Sequence, residues 1–189
     1  MKVKFGLSLV LVVLGFVAMS YNLPEGWAKG GTQPDKYEMG TDPGSGHKGA
    51  NAATIKSIAR DLRGSGMLLQ NVSADNYKGK RVRLTGNLRS ADLDKWAGLW
   101  VRIDGKNTKQ RLAFDDMADR PVKGTSDWVK CKIVLDVPAT AANISYGAVL
   151  NGSGQIWFDN LKFDVVSNSM PTTDKPVEHK APTNLNFRK

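Results

Sequence analysis

The sequence has little of the chemistry that most enzymes and metal sites use. Its 189 residues include one cysteine and two histidines, His47 and His179. Two histidines are too few for a multi-histidine metal site and leave little choice for a histidine-based catalytic triad. No glycine-rich loop leads into a helix, so the cradle that binds nucleotide phosphates is missing as well. These absences favour a protein that is not an enzyme.

A single cysteine excludes any disulfide within the chain. Cys131 alternates with lysines in the run Val129–Leu135, which places its thiol on the apolar side of a strand. A buried thiol behaves as a small hydrophobic group. We therefore expect Cys131 to be part of the core and not a reactive nucleophile.

Paired carboxylates of the kind a glycosidase needs are also scarce. Asp115 and Asp116 are adjacent in sequence, and neighbouring residues of a strand point to opposite faces. They cannot by themselves flank a glycosidic bond. Asp92 and Asp94 lie in a segment that is typical of a turn or loop. A hydrolase is therefore only an alternative to a binding protein.

The first twenty residues, Met1–Ser20, begin with two lysines, continue as an uncharged apolar run and end in small residues. This order is typical of a signal peptide. We expect cleavage before Tyr21 and export to the periplasm or outside a bacterial cell. The alternative is a membrane anchor over residues 5–23, because that stretch approaches the roughly 20 residues that a spanning helix needs.

The chain carries a formal net charge of +9. Its lysines and arginines are scattered singly along strand-like segments, with no arginine cluster and no helix that presents a basic face. The charge therefore predicts solvated strand faces and no nucleic-acid partner. A membrane partner is expected only if the N-terminal segment is not cleaved.

Alternation with a period of two recurs through the body of the chain, and helical periodicity is nearly absent. In Arg81–Arg89 the even positions are apolar or glycine and the odd ones are polar, which is typical of a half-buried antiparallel strand. Turn signals separate such runs by about 8 to 14 residues, as in sandwiches and jelly rolls. We predict an all-β jelly-roll sandwich of about eight antiparallel strands over residues 21–166. The proline-containing segment 167–189 is predicted to be a disordered tail.

The last predicted strand, in Gly154–Phe163, resembles the closing strand of galactose-binding-like jelly rolls and carbohydrate-binding modules. The segments Ala113–Met117 and Arg120–Trp128 are similar to a largely uncharacterised bacterial family of such domains, some of them sensor parts of transcriptional regulators. The resemblance implies a β-sandwich. It does not imply a substrate, because this fold hosts many functions.

Five tryptophans offer the flat apolar surfaces on which sugar rings stack. Trp100 and Arg102 alternate with Leu99, Val101 and Ile103, so they lie on the opposite side of their strand. We predict a ligand site at Trp100 and Arg102, with Trp96 nearby and with Arg83 and Gln70 added if their strands are neighbours. If a loop covers this face, Trp100 instead belongs to a second core. The remaining three are predicted to be core residues: Trp27, Trp128 and Trp157.

Asp159 resembles the acidic residue that helps to hold a structural calcium in many carbohydrate-binding jelly rolls. Calcium needs six to eight oxygen ligands, so Glu38 or Asp42 and backbone carbonyls would have to join it. The alternative is that Asp159 accepts hydrogen bonds from backbone amides at a strand bulge.

Together these features predict an exported, non-catalytic module that binds carbohydrate through an aromatic and polar concave sheet face. A protein-interaction or sensor domain of the cell envelope, with an envelope protein as partner, is the alternative function.

Overall fold

The computed structural model describes residues 21–106 and 111–174. Nearly all of its regular structure is strand, and two short 3-10 turns, Pro34–Lys36 and His47–Gly49, lie in the connections. The strands are β1 (Ala28–Gly30), β2 (Tyr37–Asp42), β3 (Ala52–Ser57), β4 (Ser65–Ser73), β5 (Arg81–Gly105), β6 (Arg111–Asp115), β7 (Val122–Asp136), β8 (Ala141–Asn151) and β9 (Gln155–Val166).

Strand β5 joins the two layers of the fold, because each of its halves pairs with a different set of strands. The first half, residues 81–91, pairs with β7 and β9. The second half, residues 96–105, pairs with β8 and β6. Beyond β8 lie β4 and β1, and beyond β9 lie β3 and β2, with every pairing antiparallel. We call β1, β4, β8, β6 and the second half of β5 the first layer, and the other strands with the first half of β5 the second layer.

The inner faces of the two layers share one hydrophobic core. In the first half of β5, Val82, Leu84 and Leu88 are buried, as the alternation predicts. Aromatic contacts join the layers: the ring of Tyr146 on β8 stacks on that of Phe163 on β9, with centroids 5.2 Å apart. Burial of one such large apolar side chain contributes about 1.5–3 kcal/mol. The inner faces therefore fix which residues point outward.

Two irregularities change which residues point outward. The register of β5 against β7 shifts between Leu88 and Ala97, where the strand passes from one layer to the other. In β9, Asn160 adopts a left-handed conformation with a φ of 51°, as expected of a bulge. The bulge keeps apolar side chains in the core on both of its sides: Ile156 and Phe158 before it, Leu161 and Phe163 after it.

The core predictions for Cys131 and Trp27 are confirmed. Cys131 is 2% exposed, and burial raises the pKa of its thiol to about 11. Tyr37 is also buried, and its hydroxyl donates hydrogen bonds to the carbonyl oxygens of Gly64 and Gly152 at 2.9 and 2.8 Å. Trp27 packs against the core beside Phe158. The N-terminal segment therefore closes one side of the sandwich.

The first residues of the predicted tail lie against the second layer, which differs from the prediction of disorder from Ser167. Val134 of β7 has backbone groups on the edge that faces away from β5, and Thr173 forms hydrogen bonds with them. The backbone N–H of Thr173 donates to the carbonyl oxygen of Val134, and the Thr173 hydroxyl accepts from the N–H of Val134, both at 2.8 Å. Residues 175–189 lie outside the described part of the chain.

The predicted fold class is confirmed: the protein is an all-β jelly-roll sandwich, with nine strands where about eight were expected. The predicted export segment, residues 1–20, lies outside the described residues. Within residues 21–106 and 111–174, no helix is long and apolar enough to cross a membrane.

Candidate functional site

Trp100 lies on the outer face of the first layer, as predicted, but it is only 5% exposed. Two residues earlier, Gly98 on the same face is covered by the segment after β6. A Cβ atom on Gly98 would lie 3.0 Å from the carbonyl oxygen of Asp116 and 3.0 Å from the Cβ of Met117. The alternative of a covered face therefore fits the structure better, because Trp100 offers little ring surface to a ligand.

The indole N–H of Trp100 is buried and has no hydrogen-bond acceptor in the described part of the chain. Arg102, on the same face, is partly exposed and donates from Nε to Asp104 Oδ1 at 2.9 Å. Trp96 is partly exposed and pairs in register with Asn151 of β8. The outer face of the first layer thus brings together Trp96, Trp100 and Arg102.

Gln70 and Arg83 do not join this group. Gln70 is on β4, which β8 separates from β5, and it shares the inner side with Tyr146, whose hydroxyl donates to the Gln70 side-chain oxygen. Arg83 is in the second layer and donates to Asp164 Oδ2 at 2.9 Å. That hydrogen bond is the main reason why the pKa of Asp164 is lowered. Gln70 therefore fails the condition of a neighbouring strand, and Arg83, although it is on β5 like Trp100, lies in the other layer.

Asp159 takes the alternative role, that of a hydrogen-bond acceptor at a bulge. Its Oδ2 accepts from the backbone N–H of His47 at 2.5 Å, and its Oδ1 accepts from the side-chain amides of Asn87 and Asn160 at 3.3 and 3.2 Å. Within residues 21–106 and 111–174, no group of three or more His, Cys, Asp or Glu side chains is placed to hold a metal. Of the suggested partners, Asp42 instead accepts a hydrogen bond from Trp157. The expected calcium ligation by Asp159 therefore has no support in the geometry.

The outer face of the second layer carries a group of side chains that the sequence did not single out. Arg89 of β5 and Trp157 of β9 are cross-strand partners, and the guanidinium carbon lies 4.3 Å from the centroid of the Trp157 ring. On the other side of β5, the same carbon lies 5.3 Å from the ring centroid of Trp128. We call Arg89, Trp128 and Trp157 the aromatic cluster. Its contacts have the geometry of cation–π interactions.

Neighbouring side chains hold the two rings of the aromatic cluster in place. The indole N–H of Trp157 donates to Asp42 Oδ2 at 2.7 Å, which ties β9 to the end of β2. The ring of His47 meets that of Trp128 edge to face, with centroids 6.1 Å apart. The backbone of His47 is in turn bonded to Asp159. The loop between β2 and β3 therefore positions both tryptophans.

The prediction that Trp128 and Trp157 are core residues is wrong. Both side chains are partly exposed and lie outside the hydrophobic core. Trp157 sits between Ile156 and Phe158, so the run reads as continuously apolar and hides the alternation. Because Ile156 and Phe158 face the core, Trp157 must face outward. Strict use of the period of two would have found it.

A pocket of about 660 Å³ lies next to the aromatic cluster, on the same side of the second layer. Arg89 pairs with Trp157, and two residues further along the same strands Ala91 pairs with Gln155. Ala91 and Gln155 both line the pocket. The rest of its wall mixes the apolar residues Ile58 and Ala59 and the backbone of Gly154 with polar and charged residues: Lys56, Ser57, Arg60, Asp61, Asp92, Asp94 and Ser153. The pocket thus begins two residues along the strands from Arg89 and Trp157, and the rings of the aromatic cluster are not part of its lining.

One protein relative is similar along most of the chain, although no protein-family model matches. It is YbfP of Bacillus subtilis strain 168, described as an uncharacterized HTH-type transcriptional regulator. The two chains are 36% identical over 167 residues, which is 86% of this chain and 56% of the relative. The chain therefore spans little more than half the length of that regulator.

Solved structures share the fold at low sequence identity. The CBM22-1 xylan-binding domain of Paenibacillus barcinonensis Xyn10C aligns with a TM-score of 0.54 and 11% identity, over 78% of this chain and 90% of that domain. The Stig cyclase Fisc of Fischerella sp. TAU aligns with a TM-score of 0.55 and 14% identity, over 77% of this chain and 87% of the cyclase. The resemblance to carbohydrate-binding modules is therefore confirmed for the fold.

Proposed function

We propose that this protein is a non-catalytic module that binds carbohydrate on the outer face of its second layer. The observation that carries the proposal is the aromatic cluster, with a pocket of mixed polarity further along the same strands. Carbohydrate sites combine apolar ring surface with a few polar groups that fix orientation. Trp128 and Trp157 supply the first, and Arg89 and Gln155 supply the second.

The rigidity of the cluster supports binding, because a held ring loses little conformational entropy when a ligand arrives. Trp157 is fixed by Asp42 at 2.7 Å, and the edge of Trp128 is fixed by His47. The structural likeness to a xylan-binding domain agrees with this function but does not carry it, since it shows the fold alone.

Binding without catalysis is supported by the state of the acidic side chains. Asp115 accepts hydrogen bonds from Arg120 at 2.6 Å and from Thr173 at 2.6 Å. Asp94, which lines the pocket, accepts from the backbone N–H of Ser153 at 2.6 Å. Both carboxylates hold the fold together through these hydrogen bonds.

The test is native affinity electrophoresis in gels that contain xylan, galactan or polygalacturonate. We expect at least one polysaccharide to retard the protein, and Trp157→Ala to weaken that retardation at least tenfold. Trp96→Ala is the matched control, because it removes a partly exposed tryptophan from the other layer. Circular dichroism and a thermal melt show that each variant is folded.

Two results would overturn the proposal. The first is the absence of retardation by all three polysaccharides. The second is retardation that survives both Trp157→Ala and Trp128→Ala, which would place the ligand elsewhere. Release of reducing sugar from a polysaccharide that binds would contradict the non-catalytic part of the proposal.

A second candidate is a sensor module, and the similarity to a transcriptional regulator favours it. A sensor passes ligand binding on as a change of shape or of association. Light scattering with and without a polysaccharide fragment that binds distinguishes the two functions. A change in molar mass on binding supports the sensor, and an unchanged mass and hydrodynamic radius support a simple binding module.

Export remains part of the proposal and is supported by the pattern of Met1–Ser20. Asn22, just after the expected cleavage point, is part of the fold, since its carbonyl oxygen accepts from the backbone N–H of Thr41 at 2.8 Å. Mass spectrometry of the protein from culture medium and periplasm should give an N-terminus at Tyr21. An intact N-terminus on protein confined to the cytoplasm would contradict export.

A further inference from the structure

Arg89 is a cation that has no ion-pair partner among the described residues. Its guanidinium group lies between Trp128 and Trp157 and forms no hydrogen bond or ion pair with any other described residue. The five N–H donors of a guanidinium form a rigid fork that matches a carboxylate. Within residues 21–106 and 111–174 they have no acceptor, and the tryptophans lie against them.

Other arginines on the same face of β5 are arranged differently. Arg83 pairs with Asp164 at 2.9 Å, and Arg81 makes a two-pronged bond with Asp136 at 2.7 and 2.8 Å. The fold thus provides a carboxylate for each of these two guanidinium groups but not for Arg89.

The carboxylates that lie near Arg89 have other partners. Asp159 faces the neighbouring cross-strand position, opposite Asn87, and accepts from the backbone N–H of His47. Asp42 accepts from the indole N–H of Trp157. Both acids therefore hold the loop and the ring beside the guanidinium, and neither forms an ion pair with Arg89.

Two more cations extend the positive charge along this face. Lys130 and Lys132 of β7 pair in register with Asn87 and Thr85, so their side chains share the outer face with Arg89. Both are exposed, and neither forms an ion pair with a residue of the described ranges. Arg89, Lys130 and Lys132 therefore place three cationic side chains on one outer face.

We propose that the carbohydrate bound by the aromatic cluster is anionic, with its acidic group paired with the guanidinium of Arg89. This inference rests on the proposed function and adds the class of ligand. The sugar ring packs against Trp128 or Trp157, and the acidic group meets the free N–H donors. Lys130 and Lys132 attract further acidic groups of the same polymer.

The experiment compares two forms of one polymer, polygalacturonate and highly methyl-esterified pectin, by affinity electrophoresis and isothermal titration calorimetry. Esterification removes the charge and keeps the sugar rings. We expect the affinity for polygalacturonate to exceed that for the ester at least tenfold. Arg89→Gln should remove most of this preference, while Lys29→Gln, an exposed control on β1 of the other layer, should keep it. Dextran sulfate tests whether sulfate replaces carboxylate.

Each outcome bears on the inference or on the proposed function in a distinct way. Equal retardation by polygalacturonate and its ester, lost in Trp157→Ala, would overturn the inference and leave carbohydrate binding intact. Equal retardation by poly-glutamate, unaffected by Trp157→Ala, would show a general polyanion surface and overturn the inference. No retardation by any polysaccharide would overturn both. The wild-type comparison of the two polymers does not depend on how a variant folds.

Discussion

Arg89 and Trp157 face each other across β5 and β9, with the guanidinium carbon 4.3 Å from the ring centroid. This pair lies on the outer face of the second layer, two residues along the strands from a pocket of mixed polarity. In contrast, the tryptophan that the sequence pattern favours, Trp100, is buried on the other layer. We therefore expect substitution of Trp100 to affect mainly stability, and substitution of Trp157 to affect mainly ligand binding.

Trp100 is expected to contribute to stability and not to ligand affinity. Trp100→Ala leaves a large void and should lower the free energy of unfolding by about 3–5 kcal/mol. Trp100→Phe removes an N–H that has no acceptor, so its cost should be smaller, about 1.5 kcal/mol or less. Urea unfolding measures both. Weakened polysaccharide binding by a fully folded Trp100→Phe variant would contradict this assignment.

Asp159 is expected to stabilise the loop between β2 and β3 without a metal. Asp159→Ala removes the acceptor of the His47 N–H and should cost about 1.5–3 kcal/mol, as is usual for hydrogen bonds to charged groups. Addition of EDTA to the wild type should leave the melting temperature unchanged. If EDTA lowers the melting temperature and calcium restores it, the carboxylate is a calcium ligand after all.

Asp42 is a positioning residue for the ring of Trp157. Asp42→Ala should weaken polysaccharide binding several-fold, because the freed ring must be ordered again on binding. Asp42→Asn keeps an oxygen acceptor and should retain most of the affinity. Calorimetry with the polysaccharide that binds wild type measures both variants. Equal loss in the two variants would point to the charge of Asp42, and not to the orientation of the ring.

Cys131 makes the protein less stable in alkali. Burial raises the pKa of the folded thiol from 9.0 to about 11, so between these values the unfolded state loses a proton that the folded state keeps. Stability is fully present below pH 9 and falls as the pH rises towards 11. Between pH 8 and pH 10 the loss should be about 1.4 kcal/mol, the equivalent of one pKa unit.

The control for this alkaline loss is Cys131→Ala, whose unfolding free energy should fall by about 1.4 kcal/mol less than that of wild type over the same interval. The range stops at pH 10 because burial also raises the pKa of Tyr37, to about 12. Identical pH profiles for the two proteins would show that the thiol is not buried in solution.

The sequence predicts the fold well because alternation with a period of two reports directly on burial in antiparallel strands. Leu84 and Leu88 lie inward, as the pattern requires. The same pattern places Trp100 on the outer face. It cannot show that the segment at Met117 covers that face, because a loop's path depends on contacts between residues far apart in sequence.

The candidate site depends on such contacts. Arg89, Trp128 and Trp157 are on three different strands, and they meet only because β5 lies between β7 and β9. Strand order is not encoded in the local pattern. The bulge at Asn160 also hides the alternation of β9, since it changes the phase of the apolar residues within one strand.

The most direct test uses the five indole N–H signals of the tryptophans in a ¹⁵N–¹H correlation spectrum, assigned by single Trp→Phe variants. The probe is a short galacturonate oligomer, titrated into the wild-type protein. We predict that the signals of Trp128 and Trp157 shift in a saturable manner, while those of Trp27 and Trp100 do not move. A saturable shift of the Trp100 signal, with Trp128 and Trp157 unchanged, would contradict the placement of the site on the second layer.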